Sequence, residues 1–340
     1  MPKIITFGEI MMRLNPEGYR RIVQADRFET SYAGGEANVA VSLVQYGMDT
    51  AFVSKVPAHE IGQAAVNALR RYGVDTAYML RGGPRLGTYY VEKGASQRPS
   101  KVIYDRAGSS IALAKSAEFD WPTIFNGADW FHFTGITPAL SETLPVICLE
   151  AVQAAKSAGL TVSCDLNYRN KLWSREEART VMETLMPYVD ICIANEEDAA
   201  DVFGIHAENT DVDSGKLSHE GYISVARQLS ERFKCRAVAI TLRGSISASE
   251  NNWAAMLYNG KQAFFSQQYR VHIVDRVGGG DSFGGALIYA LLSQYDNQKA
   301  IDFAAAASCL KHSIEQDFNL VSVAEVESLA TGNTSGRVQR

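Results

Sequence analysis

A chain of 340 residues with 46% hydrophobic content can bury a large core, one large domain with a subdomain or two domains, which excludes a disordered or fibrous protein. A formal net charge of −5 with no run of like charges argues against nucleic acid or a membrane surface as partner and for a small molecule. Five scattered cysteines without a C-x-x-C pair read as buried thiols in a reducing compartment, and six histidines without H-E-x-x-H spacing leave no zinc site to expect.

The chain enters on a strand pattern, Ile4-Ile5-Thr6-Phe7, with no basic-then-apolar segment before it. No stretch approaches the ~18 apolar residues of a membrane span, so a soluble, cytoplasmic protein is expected. Gly34-Gly35 then lead into a helix that ends at Gly47. Gly87 to Glu92 and Lys101 to Asp105 alternate polar and apolar residues across a polar linker, which predicts antiparallel strands. Such a small sheet could close over a substrate or merely decorate the surface.

From Ala128 onward short apolar runs alternate with helical patterns. Trp130 to Phe133 precedes a helix over Glu142 to Ala158, and Leu160 to Cys164 precedes one over Ser174 to Met186. Ile191 to Ala194 leads into Glu196 to Phe203, and Ala237 to Thr241 follows the helical stretch Gly221 to Phe233. This alternation predicts a parallel sheet covered by helices on both faces, with ligands at the C-terminal ends of its strands. Asn259-Gly260, between Ala254 to Tyr258 and Gln262 to Ser266, is a hairpin signal.

Val277-Gly278-Gly279-Gly280-Asp281-Ser282-Phe283-Gly284-Gly285 opens the last strongly apolar helix. Glycines bring bare N–H groups close to a ligand in front of the positive end of the helix dipole, which suits phosphate. An ionised Asp281 would repel that phosphate unless it takes a proton from an attacking hydroxyl, so the pattern suggests phosphoryl transfer. A tight strand-to-helix turn with an acid in its first turn explains the same residues without chemistry. No Walker A loop and no G-x-G-x-x-G fingerprint occurs, which sets a nicotinamide dehydrogenase aside.

Tyr32-Ala33-Gly34-Gly35-Glu36-Ala37-Asn38-Val39-Ala40, together with Gly278 to Asp281, resembles the two signatures of the ribokinase-like (pfkB) sugar kinases, and the resemblance spans nearly the whole chain. It implies an α/β, ribokinase-like fold with an eight- or nine-stranded, mostly parallel central sheet sandwiched by helices, and a small β-sheet lid. Residues 1–330 would form the kinase domain, with the lid mainly from about 10–33 and 85–107, and 331–340 a flexible tail. It also implies transfer of the ATP γ-phosphoryl group, with Asp281 as base and Gly278, Gly279 and Gly280 as anion hole.

Gly34, Gly35, Asn38, Tyr89, Tyr104, Arg106 and Asp165-Leu166-Asn167-Tyr168-Arg169 make the chain most similar to the 2-keto-3-deoxygluconate kinases. A keto acid carries a carboxylate that an arginine fork holds bidentately, which favours Arg106 and Arg169 as its contacts, Arg169 also being a candidate for the ATP phosphates. Tyr89 and Tyr104 could pack on the sugar chain or simply pair across the lid strands.

For the nucleotide, the resemblance implies Asp165, Asn167, Arg169, Asn195, Thr241, Arg243, Gly244, Gly278, Gly280 and Ser308. Thr241 to Ser245 resembles the family's phosphate loop, with Arg243 where a glycine is usual. Asn195 and Asp198 would hold Mg²⁺ through water, or only cap the following helix. Asp275 would adjoin a monovalent cation, K⁺, although Arg276 and Val277 replace the usual threonines. A homo-oligomer joined through exposed lid strands is expected. A kinase of a neutral sugar and a non-catalytic sensor of the same fold stay open beside this reading.

Overall fold

Nearly unbroken apolar runs fold here as strands with helices on both faces, because such strands have no polar side to present to water. The computed structural model describes residues 1–195, 197–207 and 219–333. In chain order the elements are β1 (Lys3–Phe7), β2 (Met11–Asn15), β3 (Glu29–Ala33), α1 (Gly35–Gln45), β4 (Asp49–Val56), α2 (Glu60–Arg71), β5 (Met79–Arg81), β6 (Gly87–Glu92) and β7 (Lys101–Asp105). There follow α3 (Trp121–Ile124), β8 (Trp130–Thr134), α4 (Leu144–Ser157), β9 (Thr161–Asp165), α5 (Arg175–Leu185), β10 (Ile191–Ala194), α6 (Asp198–Phe203), α7 (His219–Phe233) and β11 (Ala237–Ser245). The chain closes with β12 (Glu250–Tyr258), β13 (Ala263–Phe265), β14 (Tyr269–His272), α8 (Gly279–Leu292), α9 (Asn297–Lys311) and α10 (Val323–Ala330).

The main sheet runs β13-β12-β11-β10-β9-β8-β1-β4-β5, and β14 also pairs with β12. Every pairing from β5 to β11 is parallel, and those of β12 are antiparallel. The sheet has ten strands where the resemblance implies eight or nine, because the Asn259-Gly260 hairpin and β14 both attach to the free edge of β12. On one face Phe131 and Phe133 of β8 share a packed layer with Met182 of α5, and on the opposite face Ile4 of β1 and Trp130 of β8 share another with Phe283, Leu287 and Phe303.

β1 lies between β4 and β8, so the chain turns one way after β1 and the other way from β8 onward. A reversal of that kind opens a crevice at the strand C-termini. Above it stands a second sheet in the order β3-β2-β6-β7, with β6 mostly buried and β7 mostly exposed. Helices α1 and α8 pack closely enough that a Cβ on Gly285 would lie 2.9 Å from the Cβ of Ser42. This contact brings the two glycine-rich helix starts, 243 residues apart between Asn38 and Asp281, to one place.

The observed helices start within a few residues of their expected positions. α6 begins at Asp198, and residue 196 of the expected segment lies outside the described residues. Residues 334–340 of the expected tail also lie outside them; α10 and the residues to 333 are described.

Candidate active site

At the meeting of the two helix starts, the Asn38 amide donates to Asp281 Oδ2 at 2.6 Å. Gly278 caps α8 in a left-handed conformation (φ +86°), which a side-chain-bearing residue adopts only with strain. A Cβ there would also fall 2.1 Å from the carbonyl oxygen of Asp317. Gly280 has open space around it, so the first turn presents bare backbone to the cleft. Desolvation pushes the Asp281 carboxyl up to about 6, while the Asn38 hydrogen bond pulls the other way.

These groups line a cleft of about 480 Å³ that runs from the small sheet to β11. On the small-sheet side Tyr104 stacks on Tyr89 with ring centroids 5.9 Å apart, and the Tyr89 hydroxyl donates to Asp317 Oδ2 at 2.7 Å. Arg106 Nε donates to Glu9 Oε2 at 2.7 Å, and a second guanidinium nitrogen pairs with the same oxygen. The Arg106 fork thus keeps only its remaining edge for a ligand. Gly34 faces the Glu9 backbone, where a Cβ would lie 1.9 Å from the Glu9 carbonyl oxygen, and Gly35 faces Asp281. Close packing accounts for Gly34 before any approach to a ligand does.

Asp165, at the end of β9, sits near Asp198 and Asp281. Burial first, and then those two charges, push its pKa well up, with Arg169 opposing. Asn167 donates its backbone N–H to Asp165 from a positive φ of 41°, a backbone state that costs energy and clusters at functional sites. Asp198 accepts from the backbone N–H groups of Asn195 and Tyr168, and Asn195 Oδ1 accepts from those of Glu197 and Asp198. Asn195 thus satisfies the first N–H of α6, Asp198 ties the segments after β9 and β10 to that helix start, and both residues line the cleft. No three His, Cys, Asp or Glu side chains among the described residues form a cage for an ion.

Thr241 and Arg243 line the far end of the cleft with Arg276, Trp253 and His312. Burial, then the nearby Arg243 charge, lower the Arg276 pKa. Two like charges held against their repulsion in a cleft suit a polyanion. Thr241 to Ser245 is not the loop expected from sequence: it continues β11 as far as Ser245, because Thr241 pairs with Ala255 and Ser245 with Asn251 across β12.

Three expected site residues stand off the cleft wall. Gly244 packs against Asn252, and the Ser308 hydroxyl donates to the Gly279 carbonyl oxygen at 2.6 Å, holding the helix start from behind. Asp275 faces the wholly buried Arg13, whose NH2 lies 2.5 Å from its Oδ2. Sequence reasoning missed Glu9, Arg13, Arg276, His312 and Asp317. Glu9 could have been found as an acid two residues past the end of β1, where an α/β sheet gathers ligands.

The pattern of the pfkB family carbohydrate kinases matches residues 1–315. A solved structure of 2-dehydro-3-deoxygluconokinase from Thermotoga maritima is 52% identical and superposes with a TM-score of 0.94, covering 98% of this chain and 100% of that one. The 2-dehydro-3-deoxygalactonokinase of Haloferax volcanii is 35% identical over 334 residues, 98% of each chain. The 2-dehydro-3-deoxygluconokinase of Thermoproteus tenax is 27% identical over 334 residues, 97% of this chain and 94% of its own.

Proposed function

Because the chain belongs to the pfkB family of carbohydrate kinases, we propose that it transfers the γ-phosphoryl group of ATP to the terminal hydroxyl of 2-keto-3-deoxygluconate, giving the 6-phosphate. The observation that carries this reading is the Asn38–Asp281 contact beside the open N-terminal turn of α8. A base and an anion hole then face the same small volume.

In this reading the sugar acid lies under the small sheet, its carboxylate held by Arg169 and by the free edge of Arg106. Asp281 accepts the proton of the terminal hydroxyl as oxygen attacks the γ-phosphorus and the bond to the β-phosphate oxygen breaks. The backbone N–H groups of Gly278 to Gly280 steady the charge on the moving group. Arg243 and Arg276 hold the polyphosphate at the far end. Asp165 and Asp198, whose ionisation is disfavoured first by burial, would be stabilised as carboxylates by Mg²⁺ held through water and ATP oxygens, and the ion would neutralise phosphate charge there.

A second reading takes the C4 epimer, 2-keto-3-deoxygalactonate, as substrate, favoured by the similarity to the Haloferax enzyme. Lid pairing between subunits through the exposed β7, where Ile103 and Tyr104 are open to solvent, would make a homo-oligomer. The deciding experiment is an ATP-coupled assay across both keto acids, gluconate, ribose and fructose. Turnover of a keto acid with little of the neutral sugars is expected. Preference for ribose or fructose would overturn the sugar-acid assignment, and silence on every sugar would overturn the kinase itself.

A further inference from the structure

The resemblance places a monovalent cation at Asp275, and the residues present do not fit one. Asp275 Oδ1 accepts from the Val277 N–H at 3.1 Å, and its Oδ2 accepts from Arg13 NH2 at 2.5 Å and from the Gln316 N–H at 3.2 Å. Asp317 Oδ1 accepts from Arg13 NH1 at 2.6 Å and its Oδ2 from the Tyr89 hydroxyl at 2.7 Å. Every carboxylate oxygen of the pair is thus taken by a protein donor.

Charge is accounted for as well. Arg13 has 0% of its side chain exposed and bridges both acids, whose attraction more than offsets the tendency of burial to strip its proton. Lys311, also wholly buried, stands near Asp275 and Asp317, whose attraction opposes the burial that lowers its pKa. Arg13 already bridges the two carboxylates, and an added ion would have to displace protein donors and bring further charge into a dry site.

Arg13 also joins two parts of the molecule. It stands on β2 of the small sheet, whereas Asp275 and Asp317 flank the start of α8. Tyr89 on β6 contacts Asp317, and Lys93, just past β6, pairs with Glu315 at 2.6 Å. The Asp317 carbonyl in turn packs against Gly278.

We propose that Arg13 is a positioning residue that replaces the monovalent cation, fixing the glycine turn of α8 from the lid sheet and leaving the protein indifferent to K⁺. The turnover part of this proposal rests on the kinase reading above. The cation part does not.

The test compares wild type with Arg13→Ala and Arg13→Lys in tetramethylammonium buffer, with and without K⁺ or dilute guanidinium. Wild type should show the same melting temperature, ATP affinity and kcat with and without K⁺. Arg13→Ala should lose about 100-fold in kcat, the scale of an ångström-sized misplacement, with a smaller change in the sugar KM, and guanidinium should restore part of the loss. Arg13→Lys should recover part of it without any additive. Should Arg13→Ala fail to fold, the wild-type melting and ATP titrations still decide the cation question. A K⁺-dependent rise in wild-type stability or ATP affinity would overturn the proposal, as would an Arg13→Ala enzyme with normal kcat. If no sugar is turned over, the kinase reading fails, while the K⁺ titrations of melting and ATP binding still test Arg13.

Discussion

The Asn38 side-chain amide lies 2.6 Å from Asp281, and its hydrogen bond holds that carboxyl down against the desolvation that lifts it to about 6. As the proposed base, Asp281 must be ionised to accept a proton, so kcat/KM of the wild type should climb with pH along a limb near pH 6. Removing the amide in Asn38→Ala removes a bond made only to the charged form, and the limb should move to higher pH. Asp281→Asn should bind both substrates yet lose ~10²–10⁴ in kcat. A pH profile of kcat/KM for both variants checks this; an unmoved limb in Asn38→Ala would detach the amide from the ionisation of the base.

Gly278→Ala meets two obstacles together, a left-handed backbone and the Asp317 carbonyl oxygen 2.1 Å from the new Cβ. Backbone strain alone is worth on the order of 1–3 kcal/mol, and the collision adds to it. Thermal melting should show a clear loss of stability, and kcat should fall further than KM rises because the displaced turn is the proposed anion hole. Gly280→Ala, whose Cβ would meet nothing within 4 Å, is the control and should melt like the wild type.

The glycine pair at 34–35 and the three glycines at 278–280 were legible because tight helix starts need residue types that composition and order display directly. The alternating strand and helix runs were legible for the same reason: hydrophobic period is a local property. Arg13 and Asp317 were not, since each acquires meaning only from partners far along the chain, Asp275 for Arg13 and Tyr89 for Asp317. Thr241 to Ser245 was misread as a loop because the strand that extends it, β12, supplies its pairing from outside the segment.

Arg276 enters the cleft with its Nε unpartnered and its pKa lowered by burial, then by Arg243. A polyphosphate arriving there would relieve both penalties. Hydrogen bonds to charged groups are worth about 1.5–3 kcal/mol, so Arg276→Ala should raise the KM for ATP by about 10- to 100-fold. The KM for the sugar should change little, because the contact lies at the β11 end of the cleft. Initial-rate measurements with each substrate varied in turn check this, and an effect on the sugar alone would move Arg276 to the other substrate.

Glu36, buried in the first turn of α1, takes three donors on one oxygen: the Thr134 N–H at 3.0 Å, the Thr134 hydroxyl at 2.8 Å and the Thr137 hydroxyl at 2.6 Å. Desolvation outweighs those bonds and raises its pKa from 4.5 to about 7. With the folded pKa above the unfolded one, its contribution to stability is complete below about pH 4.5 and disappears as pH climbs through 7. At roughly 1.36 kcal/mol per pKa unit the cost above that range is about 3 kcal/mol. Glu36→Gln keeps an oxygen for the three donors and has no proton to lose. The fall in melting temperature between about pH 5 and about pH 8.5 should therefore be smaller in Glu36→Gln than in wild type, whatever constant offset the new amide brings. Parallel pH dependence in the two proteins would mean that Glu36 is already ionised in the folded chain across this range.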